Sequence, residues 1–212
     1  MKLLFLPIFL MSAVVHEYAH GWTALKFGDR TAKDLGRLSF NPLRHIDPLT
    51  TVLLPMFCLM AGWPAFAIAK PVPINPYNLR NPKKDMIWIA AAGPVSNLII
   101  AFIASVVIQF GLTTMAPGTI YVLGLIVLVN IILAVFNLIP IPPLDGSRIV
   151  MGVLPRKQAM FYSRFERYGI FIIILLAWTT NVIGMIVLPT LAFVWRSFGL
   201  NDQLLIYILT HG

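Results

Sequence analysis

The chain has 212 residues, of which 58% are hydrophobic and only 11% are charged, and its mean hydropathy is +0.84. Because roughly a quarter of the residues of a water-soluble domain are charged, the composition excludes that class and predicts one membrane-embedded domain over residues 1–212. The single cysteine, Cys58, excludes an internal disulfide and a cysteine-based zinc site.

The net charge of +8 raises the question of a nucleic-acid partner, which the positions of the basic residues answer. They lie between apolar runs, in the segments 26–44, 70–84 and 148–167. Positive residues in short loops are typical of the cytoplasmic side of membrane proteins, and no nucleic-acid recognition motif accompanies them. We therefore expect the lipid bilayer as the surrounding partner and no bound nucleic acid.

Four apolar runs are long enough to cross a bilayer, which takes about 20 residues of α-helix. In chain order they occupy residues 3–27, 86–112, 119–140 and 169–195. A fifth run, at about 50–69, contains two prolines and a glycine and has basic segments on both sides, so we predict that it re-enters the membrane or lies at its interface. The expected fold is an all-α polytopic membrane protein with about four transmembrane helices.

The distribution of positive charge also predicts an orientation. Residues 28–85 and 148–168 would lie in the cytoplasm, whereas the uncharged turn 113–118 and the N-terminus would lie outside. The first run is not expected to be a cleaved signal peptide, because it contains ionisable residues and lacks a small-residue cleavage site after a purely apolar core.

Ionisable residues cluster inside the first run, where they are costly and therefore indicate function. His16-Glu17-Tyr18-Ala19-His20 is an HExxH sequence. Residues four apart on an α-helix point to one side and lie about 6 Å apart along the axis, so both imidazoles can bind one tetrahedral metal while Glu17 reaches a metal-bound water. This spacing is typical of the two zinc ligands and the general base of metallopeptidases.

Chance accounts poorly for the HExxH sequence. With the histidine and glutamate content of this chain, a random match would arise in roughly one shuffled chain in a thousand, if positions are independent. Hydrogen bonds between helices could satisfy the two histidines instead. The spacing of the two histidines with the glutamate between them favours a metal site over that alternative.

A catalytic zinc site needs a third protein ligand and an open fourth position. Apart from Glu17, every acidic residue except Asp145 lies in a loop. Three prolines within residues 140–143 cannot continue an α-helix, and irregular backbone at membrane depth is tolerated where it is buried or lines a watery cavity. Asp145 and His20 both lie toward the cytoplasmic ends of their runs, so we expect them to meet. A helix-ending turn capped by Asp-Gly is the alternative.

These motifs together resemble the site-2 protease family of intramembrane zinc metalloproteases. The resemblance depends on HEYAH in a first transmembrane helix, AGPVSN at 92–97 and NLIPIPPLDG at 137–146. GRLSFNPLRHIDPL at 36–49 and AKPVPINP at 69–76 are similar to the short prokaryotic branch, which lacks PDZ and CBS domains. The resemblance covers some two-thirds of the chain, and it implies a multi-pass protein of a prokaryotic cell membrane with its active site toward the cytoplasm.

The resemblance also implies a set of site residues. One Zn²⁺ per chain would be held by His16, His20 and Asp145, with Glu17 as the catalytic base. Asn137 matches the family asparagine that engages the substrate backbone or the developing oxyanion, and a hydrogen bond between helices is the alternative. For Asn97 we favour helix packing, with a functional role left open.

The implied activity is that of an intramembrane zinc metalloendopeptidase that hydrolyses peptide bonds in or near transmembrane segments, as in regulated intramembrane proteolysis. We expect a transmembrane protein or peptide as substrate, held in extended form by a short β-like element at 36–40 in the first cytoplasmic loop. The alternative is a zinc or cation transporter with the same ligands, but the outer part of the run 119–140 offers no acidic residue or histidine. The sequence does not predict the oligomeric state.

Overall fold

The computed structural model describes residues 4–47, 70–179 and 182–211, together with positions 51, 53, 56, 57 and 60. All regular elements among these residues are helical, which confirms the all-α prediction. The α-helices are α1 (Phe5–Lys26), α2 (Thr31–Asp34), α3 (Pro82–Gly111), α4 (Pro117–Asn137), α5 (Asp145–Val153), α6 (Arg156–Ser163), α7 (Gly169–Thr179), α8 (Val182–Ser197) and α9 (Asp202–His211). Short 3₁₀ turns occupy Pro42–Arg44, Pro76–Asn78 and Arg164–Tyr168.

Two of the described helices, α3 with 30 residues and α4 with 21, are long and apolar enough to cross a membrane. Both begin at a proline, whose fixed φ suits the first helical position and whose missing N–H would be unpaired there anyway. The first apolar run is α1, and the run 169–195 is described as α7 and α8. The count of four transmembrane helices therefore stays a prediction.

The helices α1, α3 and α4 pack against one another, and α5 packs against α3. The helices α8 and α9 also pack against α4. The largest fully buried side chains of this core include Ile108, Tyr121, Ile131, Trp195 and Ile208. Since lipid tails are as apolar as these side chains, the interfaces depend on close packing and on the polar contacts between helices.

The short β-like element expected at 36–40 is not found, and no strand occurs among the described residues. This segment forms turns and bends instead. Gly36 has φ +63°, which a strand does not use. The backbone N–H groups of Gly36, Arg37 and Ser39 donate to Lys33, Ala32 and Arg37, so local turns already use them. The other predicted loop feature, the re-entrant run at 50–69, lies almost entirely outside the described residues.

The predicted helix break at 140–143 is present between α4 and α5. Helix α4 ends at Asn137, residues 138–144 form turns that include a cis bond between Pro142 and Pro143, and α5 begins at Asp145. The chain folds back so closely that a Cβ on Gly146 would collide with the carbonyl group of Leu138. Glycine is therefore required there, and the tight return places Asp145 at the start of a helix.

Candidate metal centre

His16 and His20 on α1 meet Asp145 at the start of α5. The Nε2 atoms of the two histidines lie 3.0 and 3.2 Å from Oδ2 of Asp145. One ligand atom from each of the three residues lies within 4.8 Å of the other two. Both histidines are buried, with 6% of their surface exposed. The fold thus brings two histidines that are four residues apart in the sequence next to an aspartate more than a hundred residues away.

The second nitrogen of each ring identifies the atom that faces Asp145. Nδ1 of His16 lies 2.5 Å from Oδ1 of Asn97, and Nδ1 of His20 lies 2.6 Å from the backbone carbonyl of Ile89. A carbonyl oxygen only accepts hydrogen bonds, so each Nδ1 carries the proton. Both Nε2 lone pairs are then directed toward the Asp145 carboxylate, as is typical of metal-ligating histidines with an outer hydrogen-bond partner.

This donor set fits Zn²⁺. Two neutral imidazole nitrogens and one carboxylate oxygen are the ligands of several catalytic zinc sites, where water occupies the fourth position. Three atoms that carry lone pairs converge on one point here, an arrangement that a cation stabilises and that neutral neighbours do not. Among the described residues, His16, His20 and Asp145 are the one group of three potential ligands brought this close together.

The helix that faces these histidines needs a glycine at the point of closest approach. A Cβ on Gly93 of α3 would lie 2.5 Å from Nε2 of His16 and 2.5 Å from Nε2 of His20. Any side chain there would displace the ligand nitrogens or the helix. The glycine of the AGPVSN sequence therefore makes room for the candidate metal site.

Glu17 lines the same cavity as the three candidate ligands, and its carboxylate is held by a loop. The backbone N–H of Val72 donates to Oε2 of Glu17 at 2.7 Å. Val72 belongs to the segment 70–75, which has no regular secondary structure and contributes Pro71, Val72 and Ile74 to the cavity lining. One oxygen of the Glu17 carboxylate is thus fixed by the backbone.

Asp29, just beyond α1, fixes the far end of that segment. Its carboxylate accepts hydrogen bonds from the backbone N–H of Asn75 at 2.7 Å and from Nδ2 of Asn78 at 2.9 Å, as well as from the N–H and hydroxyl of Thr31. Burial raises the pKa of Asp29, but the hydrogen bonds from Thr31 and Asn78 outweigh it, so the pKa lies below its ordinary value. We call Asp29, Asn75 and Asn78 the loop anchor.

The cavity has a volume of about 260 Å³ and an apolar lining apart from its polar cluster. Asn137, the last residue of α4, lines it, and its Nδ2 donates to the carbonyl of Leu133 one turn earlier at 2.9 Å. Its carboxamide is therefore bonded within its own helix, beside the cavity. The polar and charged residues of the lining are His16, Glu17, His20, Asn137, Asp145 and Arg148.

The structure brings every predicted site residue into one region. His16, Glu17, His20, Asn137 and Asp145 line one cavity, and Asn97 lies behind His16, fully buried. The chemical roles assigned to these residues stay predictions.

Several contributors to the site were not anticipated from the sequence. The backbone groups of Val72 and Ile89 carry no sequence signal, because nearly every residue has an N–H and a carbonyl. Asn130 was detectable in principle, since it is an amide in the apolar run 119–140, where an unpaired polar group is costly. Its contact with Asn97 places it next to the histidine network.

Comparison with known proteins gives the family. The sequence matches the model of Peptidase family M50 over residues 4–115 and 109–180. It is 36% identical to "Putative zinc metalloprotease YwhC" of Bacillus subtilis over 86% of this chain and 83% of that protein. It is 28% identical to "Putative zinc metalloprotease Rip2" of Mycolicibacterium smegmatis, over 79% of this chain and 63% of that protein.

A more distant relative is "Zinc metalloprotease MJ0392" of Methanocaldococcus jannaschii. The identity is 29% over 76% of this chain, which spans 37% of the length of that protein. No solved structure gives a significant match. The family match covers most of the chain and agrees with the resemblance drawn from the motifs, so the chain belongs to peptidase family M50.

Proposed function

We propose that this member of peptidase family M50 is an intramembrane zinc metalloendopeptidase that hydrolyses peptide bonds in or near transmembrane segments of membrane proteins. The observation that carries the proposal is the convergence of His16 Nε2, His20 Nε2 and Asp145 Oδ2 beside Glu17 in one cavity. One Zn²⁺ per chain would be held by these three side chains. The names of the relatives, each of which contains the words "zinc metalloprotease", support this assignment.

When bound, Zn²⁺ supplies a Lewis acid that polarises the scissile carbonyl and lowers the pKa of a coordinated water. Glu17 accepts the proton of the attacking water and delivers it to the leaving amine, so the base is restored as the peptide bond breaks. The hydrogen bond from Val72 occupies one oxygen of Glu17, which leaves the other oxygen to handle the proton. Held in this way, the carboxylate needs little reorientation during the reaction.

Asn137 is proposed to stabilise the negative charge that develops on the carbonyl oxygen. Its amide donates to Leu133 of its own helix, and a change of side-chain rotamer would turn the same donor into the cavity. A donor placed against the developing oxyanion is worth roughly 3 kcal/mol in the transition state, from which the cost of the rotamer change is subtracted. The main-chain carbonyl of Leu133 lies within the helix ladder, so losing the side-chain bond is inexpensive.

Several features support a membrane location for substrate and site. Large apolar side chains on α3 face outward, among them Ile99, Phe102, Ile103 and Phe110. His20 lies six residues before Lys26, about 9 Å along the helix axis, and basic residues follow in the loop beyond α1. We place the site toward the cytoplasmic face of a cell membrane, with α1, α3, α4 and the α7–α8 region as four transmembrane segments of one domain.

A cation transporter, the alternative function, is not favoured. The chain belongs to a peptidase family, and Glu17 beside the candidate metal ligands has a role in hydrolysis that transport does not require.

The test is zinc content and cleavage of the detergent-purified or reconstituted protein. The probe is a set of peptides with one apolar segment of about 20 residues and lysine flanks, analysed by mass spectrometry. We expect about one zinc per chain and cleavage within the apolar segment for the wild type, retained zinc but no cleavage for Glu17→Gln, and no zinc for Asp145→Ala. Asp34→Asn, a change at an exposed acid outside the cavity, is the matched control. Cleavage by Glu17→Gln at the wild-type rate would overturn the assignment of the base.

A further inference from the structure

Two buried asparagines connect the metal site to the centre of the helix bundle. Asn97 on α3 and Asn130 on α4 are both fully inaccessible to solvent. Nδ2 of Asn97 donates to Oδ1 of Asn130 at 2.8 Å and to the backbone carbonyl of Ser12 at 3.3 Å. Nδ2 of Asn130 in turn donates to the Ser12 hydroxyl and to the carbonyl of Ile126, both at 2.9 Å. Residues of α1, α3 and α4 thus form one hydrogen-bonded network.

The backbone carbonyl of Ile126 fixes which groups donate and which accept along this series of hydrogen bonds. The carbonyl of Ile126 only accepts, so the amide group of Asn130 must face it and Oδ1 of Asn130 must face Asn97. Asn97 then presents its own NH₂ to Asn130 and its oxygen to His16. An oxygen facing Nδ1 requires the proton to sit on that nitrogen. The lone pair of His16 is therefore left on Nε2, the atom that faces Asp145.

We propose that Asn130 is a positioning residue for the metal site: through Asn97 it fixes the tautomer and the ring orientation of His16. The inference deepens the proposed function, since it assumes that His16 is a zinc ligand. Asn130 is not among the residues that line the cavity, so it acts through Asn97 and not on the metal. We name Asn130, Asn97 and Ser12 the amide relay.

His16 needs the amide relay because its partner differs from that of His20. Nδ1 of His20 donates directly to the backbone carbonyl of Ile89, whose position the helix α3 fixes. His16 lies opposite a side chain, and a free asparagine side chain can turn its amide by about 180° and present the wrong group. Oδ1 of Asn130 removes that freedom at 2.8 Å, together with the Ser12 carbonyl, which accepts from the same Asn97 amide group at the longer distance of 3.3 Å. A buried polar group without a partner is costly. The flipped arrangement, which would leave two like groups facing each other, is therefore disfavoured.

The test measures zinc affinity of the full-length, detergent-purified protein by competition with a chromophoric chelator. Asn130→Leu keeps a similar side-chain volume and removes the relay. We expect about a tenfold weaker zinc affinity, in the range found for outer partners of metal ligands, and an altered absorption spectrum of the Co²⁺-substituted protein. Ser105→Ala is the matched control, because Ser105 is equally buried on α3 but donates to Phe102 of its own helix. It should bind zinc as the wild type does.

A double-mutant comparison separates positioning from general stability. If Asn130 acts through Asn97, then Asn130→Leu should add less than about twofold to the loss already caused by Asn97→Ala, because the relay is broken in both. Independent structural damage would multiply the two losses. Should Asn130→Leu fail to fold, Ser12→Ala, which removes one acceptor of Asn130, tests the same coupling with a smaller change.

Two results would overturn the inference: a zinc affinity of folded Asn130→Leu within about twofold of the wild type, or multiplicative losses in the double variant. Because the readout is metal binding without substrate, it is independent of the peptidase test. An inactive wild type that binds zinc would remove the proposed activity and leave the relay intact.

Discussion

The backbone N–H of Val72 donates a hydrogen bond of 2.7 Å to Oε2 of Glu17, although the two residues are 55 positions apart in the chain. The contact orients a carboxylate at the end of a flexible side chain. It also makes the segment 70–75 a wall of the cavity, held near one end by Glu17 and at the other by Asp29. The geometry of the candidate site therefore depends on a loop as well as on the helices.

Removal of this N–H should lower activity without affecting the metal. Val72→Pro deletes the donor, and proline is tolerated in a segment without regular secondary structure that already has prolines at 71 and 73. A hydrogen bond to a charged group contributes roughly 1.5–3 kcal/mol, so we expect the kcat for peptide cleavage to fall about tenfold with unchanged zinc content. Val72→Ala, which keeps the N–H, is the control. Equal activity of the two variants would show that Glu17 does not need this donor.

The loop anchor should contribute stability that depends on pH. The pKa of Asp29 in the folded protein lies below its ordinary value of 3.8, so the folded state favours the ionised carboxylate. This stabilisation is fully present above pH 3.8 and is lost as the pH falls through the lowered pKa. Asp29→Asn should thus reduce the Tm near neutral pH, and the difference from the wild type should shrink below pH 3.8.

Thermal unfolding in detergent between about pH 3 and pH 7 measures that difference, with the range set by the ordinary carboxyl pKa. Asp34→Asn is the control on the adjacent helix, since Asp34 is exposed and pairs with Arg30 at 3.9 Å. A difference between wild type and Asp29→Asn that stays constant over the whole range would contradict the role of the ionised carboxylate.

A methyl group at Gly93 should strongly weaken metal binding. Its Cβ would lie 2.5 Å from both ligand nitrogens, too close for either imidazole to keep its place. We expect Gly93→Ala to bind zinc at least about 100-fold more weakly, the upper end of effects seen when metal ligands are misoriented. Gly118→Ala, at a helical position with open space around it, should bind zinc normally. Zinc content after dialysis against a weak chelator distinguishes the two.

Removal of the metal should weaken the contact between α1 and α5, which meet through His16, His20 and Asp145. A ligand that binds only the folded state stabilises it by about 2.7 kcal/mol at a free concentration of roughly 100 Kd. A strong chelator should therefore lower the Tm of the wild type, and added Zn²⁺ should restore it. Asp145→Ala should show no response to either treatment. A wild-type Tm that does not depend on zinc would argue against a structural contribution of the site.

The apolar runs and the broken helix at 140–143 were predictable because membrane spans and prolines leave a direct mark on the sequence. The candidate ligands were predictable as well: HExxH fixes two of them on one helix face, and few acidic residues remained for the third. The position of Asn97 was predictable, but its contact with His16 was not. The sequence places it on α3, but its contact with His16 depends on how α3 packs against α1.

Contacts formed by backbone groups could not be predicted in this way. The Val72 donor and the Ile89 acceptor arise from the path of the chain, and almost any residue type could provide them. The prediction of a β-like element at 36–40 was not confirmed, for a related reason. The positive φ of Gly36 and the local hydrogen bonds that follow it are properties of a turn. The expectation that an extended edge binds the substrate did not predict them.

The distance in sequence between His16 and Asp145, 129 residues, has a consequence for biosynthesis. A ribosome delivers His16, Glu17 and His20 early, with α1. Asp145 emerges only after α3 and α4, which carry Asn97 and Asn130, have been made. A nascent chain therefore holds no complete candidate metal site until α5 has been made, and the site can assemble only when α5 has folded back against α3 and brought Asp145 to the two histidines.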